Sequence, residues 1–322
     1  MPDDRVLFTG PPDSTAMSEY AAQIFNRVGL ASPKEYYELT KPRVVSLIVF
    51  TAIVGMLLAT PGAINLFTFL AATLGITLMS ACAAVINQVA DHRIDAVMAR
   101  TRHRPLPQGE IGRGHALAFA ALLGVTGMVV LMVWVNVLTA VMTLASLVGY
   151  AVIYTVYLKR ATPQNIVIGG AAGAAPPVLG WSAMTGTIDP HSLLLFLIIF
   201  AWTPPHFWAL AIYRRRDYAS ADVPMLPITH GVDFTRVQIL LYTIIMIIAS
   251  VLPYVTFMSG LPYLVGTLLL DAVFLYYAVR MMVDENDRIA LSTFRYSIVY
   301  LMLLFLLLFA DRYWSLVALM LG

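Results

Sequence analysis

The chain has 322 residues, of which 60% are hydrophobic and 12% charged, with a net charge of +2. A soluble domain is about a quarter charged, so this balance excludes an ordinary soluble globular protein and points to a membrane. The single cysteine, Cys82, excludes an internal disulfide and a cysteine-rich metal site, and inside an apolar run it reads as a packing residue.

The first 42 residues are polar and mixed in charge, without the short apolar core and small-residue cleavage site of a secretory signal. They read as a cytoplasmic N-terminal segment, flexible at "MPDDRVLFTGPPDST". Residues 43–322 read as a single membrane domain. Residues 44–90 and 114–158 contain no Asp, Glu, Lys or Arg, 161–213 hold only Asp189, and 237–279 hold only Asp271. A crossing needs about 20 apolar residues, so each run is long enough for two. Each also has a turn signal near its middle: "TPGAIN" at 60–65, "WVN" at 134–136, "TGTIDPH" at 185–191 and "SGLPY" at 259–263. Four helical hairpins follow, with a ninth helix in 296–321. The expected spans are 43–60, 65–86, 115–133, 137–157, 165–183, 192–212, 237–258, 262–282 and 296–319. Lipid offers the backbone no hydrogen-bonding partner, and the runs are too long for barrel strands. The fold class is therefore all-α and polytopic, with nine transmembrane helices.

Of the 20 Lys and Arg, 19 fall on one face if the N-terminus is cytoplasmic. Arg312 alone breaks the pattern, and its neighbour Asp311 offers partial neutralisation. The long loops 87–114 and 213–236 then face the cytoplasm, and function is expected there. Without an Arg- and Ser-rich transit peptide, a bacterial-type inner membrane is the expected location; a mitochondrial relative with its presequence removed is the alternative.

In the first loop, Asn87, Asp91 and Asp95 recur every four residues. On a helix they share an arc of about 80°, each about 6 Å above the last. Like charges repel at that spacing, yet oxygens on one stripe suit Mg²⁺, which bridges carboxylates to phosphate oxygens. Arg93, Arg100, Arg102 and Arg104 surround the stripe, and guanidinium forks match phosphate geometry. The combination points to a Mg²⁺–diphosphate site. The competing reading is solvated loop charge that merely obeys the positive-inside rule.

The second loop places Tyr213 and Asp217 four apart, with Arg214, Arg215 and Arg216 between them and Asp222 five residues further on. The chain thus looks like a loose duplication with one acidic motif per half. Facing each other, the two motifs could grip one diphosphate through bridging Mg²⁺. One or two of the three arginines are expected to be topological anchors only. Lys159, between the fourth and fifth spans, could reach a phosphate or simply snorkel. His206, in "AWTPPHFWALA", lies inside a span, where an ionisable side chain is a functional candidate. Histidine is also the usual axial ligand of haem iron; a packed, hydrogen-bonded histidine is the other reading. Trp202, Phe207 and Trp208 add a flat aromatic lining. Asp271 is a buried acid without an assigned role.

Four stretches carry a family resemblance: "NQVADHRIDAVMARTRHRPLPQG" at 87–109, "YLKRATPQNIVIGGAAGAAPPVLGW" at 157–181, "TPPHFWALA" at 203–211 and "DYASADVPMLP" at 217–227. The chain resembles the UbiA-type intramembrane prenyltransferases from about residue 35 to the C-terminus, and within them their haem-farnesylating branch. The resemblance implies nine helices around a central cavity, with the acidic motifs facing each other at the cytoplasmic rim. It implies Mg²⁺, farnesyl diphosphate and haem B as participants, and haem O as product. Asn87, Asp91, Asp95 and Asp217 carry over as the catalytic and metal-holding set, with Asp222 at a spacing of five where the superfamily has four. Arg93, Arg104, Lys159, Arg214, Arg216 and Tyr154 carry over toward the diphosphate, and His206 and Trp208 toward the haem acceptor. Tyr154 and Lys159 are five apart, and Tyr157 is only two before the lysine, so the serving tyrosine is left open. Expected partners are membrane lipid and, downstream, haem A synthase or terminal-oxidase assembly factors; no nucleic acid is expected. Two other readings stay open. One is a prenyltransferase acting on an aromatic quinone precursor. The other is a transporter, suggested by Asp271 and the Gly- and Pro-rich fifth span, though the acids and arginines cluster at one rim rather than at the midplane.

Overall fold

A computed structural model of the chain describes residues 31–60, 62–284 and 286–321, with side chains as far as Trp314. The stretch expected to be flexible at the N-terminus lies outside the described residues. Among the described residues, nine helices are long and apolar enough to cross a membrane. A short helix, α1 (Pro33–Leu39), leads into the first crossing, α2 (Pro42–Ala59). Then come α3 (Leu66–Val97), the short α4 (Pro105–Gln108), α5 (Arg113–Trp134), α6 (Val137–Ala161) and α7 (Asn165–Thr185). The second half has α8 (Pro190–Tyr213), the short α9 (Arg215–Ser220) and α10 (Leu226–Thr229), then α11 (Val232–Val255), α12 (Leu261–Val283) and α13 (Asp287–Leu321).

The four bare turns between paired helices are closed by side chains that accept otherwise orphaned helical N–H groups. Asn65 accepts from Thr68 N at 3.1 Å, Asn136 from Thr139 N at 2.8 Å and Asp189 from His191 N at 2.8 Å. At the fourth turn the cap comes from another helix. Asp311 of α13 accepts from Gly260 N at 2.6 Å and Tyr263 N at 3.3 Å, at the start of α12. The acid expected to offset Arg312 caps a helix.

Several helices differ from the expected spans. α3 runs eleven residues past 86, α11 begins five residues before 237, and α13 nine before 296. Charge marked the edge of the apolar slab, whereas polar residues continue the helix beyond it. α7 is broken at Ala175, where Pro176 and Pro177 bring no N–H groups. In α6, Gly149–Leu158 is π-helical, and its i→i+5 bonding puts residues five apart on one face.

Small residues let helices touch backbone to backbone. A Cβ on Gly55 would lie 2.3 Å from the Pro177 carbonyl oxygen, and one on Gly180 would lie 2.0 Å from that of Ala52. These contacts seat α2 against the second half of α7. Within the membrane, Asp271 accepts from Ser250 Oγ at 2.9 Å and from Tyr300 OH at 2.7 Å. The acid thereby ties α11, α12 and α13 together.

Candidate active site

Asn87, Asp91 and Asp95 lie on the last three turns of α3 and are only 4%, 3% and 4% exposed. Each carries one basic partner, drawn from a different part of the chain. Lys41 Nζ donates to Asn87 Oδ1. Lys159 Nζ donates to Asp91 Oδ2 at 2.7 Å, and Arg104 Nη1 to Asp95 Oδ2 at 2.7 Å. Asn87 Nδ2 bridges to Asp91 Oδ2 at 3.1 Å and to Thr155 Oγ1 at 2.9 Å. The stripe thus has a ladder of three cations beside it, arriving from the start of α2, the end of α6 and the α3–α4 loop.

Local structure explains how each cation arrives. Lys41 precedes Pro42, which disfavours a helical residue before it, and it adopts φ +51°. This turn between α1 and α2 points the lysine inward. Burial lowers its ammonium to about 7, with Arg104 pushing the same way and Asp95 and Asp91 pulling it back up. Gln88 fixes the turn by donating to the Glu38 and Leu39 carbonyls at 3.2 and 2.9 Å. Lys159 follows the π-helical stretch, and its own N–H reaches the Tyr154 carbonyl, five residues back. The five-residue spacing of Tyr154 and Lys159 is therefore accommodated. Tyr154 turns inward, stacked on Tyr150 with ring centroids 5.6 Å apart, whereas Tyr157 is 71% exposed. Gly169 makes room for the Tyr154 ring, because a Cβ there would lie 2.2 Å from its Cδ2.

The second loop packs against the end of the stripe helix. Ile94 of α3 and Met98, which caps its end, share one apolar cluster with Ile212, Tyr218, Val223 and Leu226. Burial raises the Tyr218 hydroxyl above its usual range, and the charges of Arg100, Asp217, Arg214 and Asp91 all act on it. Tyr218 is thus within electrostatic reach of acids from both halves. Asp217 is weakly held by Arg214 Nη1 at 3.4 Å, while Arg215 donates to Asp287 at 2.6 Å. Residues 213–217 and Asp287 wall a polar cavity of about 340 Å³.

Not every expected site residue joins this group. Arg93 and Arg216 are exposed. Asp222 is exposed at a left-handed turn position with φ +51°, on the outside of the loop. Of the three loop arginines, Arg215 was not carried over toward the diphosphate, and it pairs with Asp287, while Arg214 pairs with Asp217. Trp208 is buried against Tyr242 in an edge-on pair, and Trp202, one turn before His206, is the ring stacked on that histidine, with centroids 4.2 Å apart. A spacing of four aligns Trp202 with His206, whereas a spacing of two sends Trp208 to another face. Sequence reasoning also missed Lys41, Thr155 and Tyr218. The signal for Lys41 was its place before a proline, at the entry to the first crossing.

The acidic stripe suits a hard cation. Asp91 Oδ1 is buried and has no hydrogen-bond partner, an oxygen lone-pair site left over after the protein bonds are made. Among the described residues, no three Asp, Glu, His or Cys side chains close into a metal cage. Mg²⁺ retains waters and takes phosphate oxygens, so an open donor set of this kind fits a metal shared with a diphosphate.

The model of the UbiA prenyltransferase family matches residues 48–307. Over 280 residues the chain is 59% identical to a protein named protoheme IX farnesyltransferase from Nitrosomonas eutropha, covering 87% of this chain and 94% of that one. It is 56% identical over 290 residues to protoheme IX farnesyltransferase 2 of Pseudoalteromonas atlantica, covering 90% and 95%. Among solved structures, one described as digeranylgeranylglyceryl phosphate synthase superposes with a TM-score of 0.73 at 21% identity, covering 87% and 98%. A UbiA homologue from Archaeoglobus fulgidus bound to GPP and Mg²⁺ gives 0.57 at 15% identity, covering 85% and 99%. The nine crossings, the buried acidic stripe and these matches agree: the chain belongs to the UbiA prenyltransferase family.

Proposed function

We propose that this protein transfers the farnesyl group of farnesyl diphosphate to a vinyl group of haem B, with addition of water, giving haem O. The observation that carries the diphosphate half of this reading is the ladder of Lys41, Lys159 and Arg104 on Asn87, Asp91 and Asp95. The haem half is supported by the name shared by relatives 56–59% identical over most of the chain.

Diphosphate leaves slowly until its charge is neutralised. Asn87, Asp91 and Asp95, with Asp217 from the opposite motif, would hold Mg²⁺, which supplies Lewis-acid neutralisation of the phosphate oxygens. Lys41, Lys159 and Arg104 each exchange a carboxylate or amide partner for a phosphate oxygen as the substrate arrives. Tyr154 and Tyr218 would border the same space, Arg214 lines the polar cavity with Asp217, and Arg93, Arg216 and Asp222 are exposed outside the stripe. When the C1–O bond breaks, its electron pair goes to the diphosphate, where those three cations stabilise it. The vinyl π pair then forms the new bond to C1. Water adds its oxygen to the resulting cation on the haem side and loses a proton. Apolar surroundings within the bundle would keep other water from the allylic cation. The acceptor lies deeper, beside His206 and Trp202.

We further propose that the N-terminus and both acidic loops face the cytoplasm and that the membrane is a bacterial inner membrane; the one-sided distribution of Lys and Arg supports the orientation. Haem A synthase or terminal-oxidase assembly factors would then take up the product. The test is incubation of purified protein with haem B, farnesyl diphosphate and Mg²⁺, followed by mass spectrometry. A farnesylated haem supports the proposal. Prenylation of an aromatic quinone precursor, with haem untouched, would replace it.

A further inference from the structure

We propose that Ser297 holds His206 in the tautomer whose bare Nε2 coordinates the iron of the haem substrate. This rests on the haem-acceptor reading above and assigns the atom that reads the acceptor.

Two short contacts meet at one hydroxyl. His206 Nδ1 lies 2.6 Å from Ser297 Oγ, and Ser297 Oγ lies 2.7 Å from the Phe294 carbonyl oxygen. A carbonyl has no hydrogen to give, and a serine hydroxyl has one. Both contacts are hydrogen bonds only if Oγ–H points to the carbonyl and Nδ1–H points to Oγ. A neutral imidazole with its proton on Nδ1 has its free lone pair on Nε2. That is the pattern of a ligating histidine, whose other ring nitrogen donates to an outer-shell acceptor.

The surroundings hold the ring as rigidly as ligation requires. Trp202 stacks on it at 4.2 Å, Phe294 lies against it at 4.7 Å and Phe207 meets it edge-on at 4.9 Å. Trp202 Nε1 donates to the Ser297 carbonyl at 2.8 Å, so one residue of α13 fixes both stacked rings of α8. Among the described residues nothing bonds to Nε2. The residue is buried, with 7% of its surface exposed. His206 lies seven residues before the end of α8, about 10 Å below the rim.

In ligation the Nε2 lone pair forms a coordinate bond to iron, with no change in oxidation state and no proton released. Ser297 is a positioning residue, because it acts through His206. The experiment titrates ferric haem B into the full-length purified protein and follows the Soret band. It adds resonance Raman of the reduced wild-type complex made with ¹⁵N-histidine. An iron–histidine stretch that shifts with the isotope is expected. His206→Gly should lose the histidine-ligated band and regain it with added imidazole, and Ser297→Ala should bind haem about tenfold more weakly. No isotope-sensitive stretch in the wild type would overturn the ligation even if neither variant folds. Unchanged haem affinity in Ser297→Ala would overturn the positioning role. Farnesylated haem formed without the iron–histidine signature sinks this inference and leaves the proposed function standing. Neither product nor haem binding in the wild type sinks both.

Discussion

Asp91→Asn separates a structural acid from a catalytic one. Asp91 is 3% exposed and accepts from Lys159 Nζ at 2.7 Å and Asn87 Nδ2 at 3.1 Å, with Oδ1 unpartnered. The amide has the same size and retains an oxygen for Lys159. What is lost in the resting protein is the difference between a charge-assisted and a neutral hydrogen bond, about 1 kcal/mol. Lys159 is itself 15% exposed along its side chain and can relax toward water, so the fold survives. During reaction the loss is larger. One charge is removed from the group that anchors the metal and orders the cation ladder, at a point where charge develops on the leaving group. Removing one such preorganised element costs about 3–4 kcal/mol, or about 10²–10³ in kcat. The assay is product formation by mass spectrometry at saturating Mg²⁺ and farnesyl diphosphate, with a thermal melt on the same sample. A folded variant retaining activity within about threefold of wild type would refute the metal-site reasoning.

Other substitutions test neighbouring parts of the account. Lys41→Met should lower kcat about 10–100-fold, because a cation facing the leaving group is lost; unchanged kcat would reduce Lys41 to a topological charge. Asp222→Ala should stay within about twofold of wild type in kcat/KM, since the residue is exposed outside the stripe, and a large loss would restore it to the metal set. Gly180→Ala puts a Cβ 2.0 Å from a backbone oxygen of α2, a clash relieved only by helix displacement. It should lower stability by about 1–3 kcal/mol in a thermal melt, and a neutral result would mean that α2 and α7 separate easily.

Much of the fold was legible because lipid imposes a simple rule. Uncharged runs of double length, each with a Gly, Pro or Asn signal at its centre, locate the hairpins without any tertiary information. The stripe was legible for a similar reason: Asn87, Asp91 and Asp95 keep helical spacing after the apolar run ends. Helix ends were less so, because Asp287 and Arg288 open α13 in polar surroundings where hydropathy is silent. The π-helical turn in α6 was invisible, since nothing in "GYAVIYTVYL" departs from ordinary helical composition. Without that turn, the spacing of Tyr154 and Lys159 looked like a departure rather than a fit. Lys41 and Thr155 were missed because their partner is 46 or 68 residues away, a distance that a local pattern does not report. Trp208 was carried over by resemblance toward the acceptor, whereas helical spacing puts Trp202 on the face of His206.

A structure with Mg²⁺ and a non-hydrolysable farnesyl diphosphate analogue tests the convergence of the two halves most directly. The two phosphates should sit within hydrogen-bonding distance of Lys41, Lys159 and Arg104, with the metal on Asp91 and Asp217 facing it from the second loop. Phosphates bound instead in the cavity walled by residues 213–217 and Asp287, away from Lys41, Lys159 and Arg104 and leaving the Asp91–Lys159 pair intact, would contradict the account.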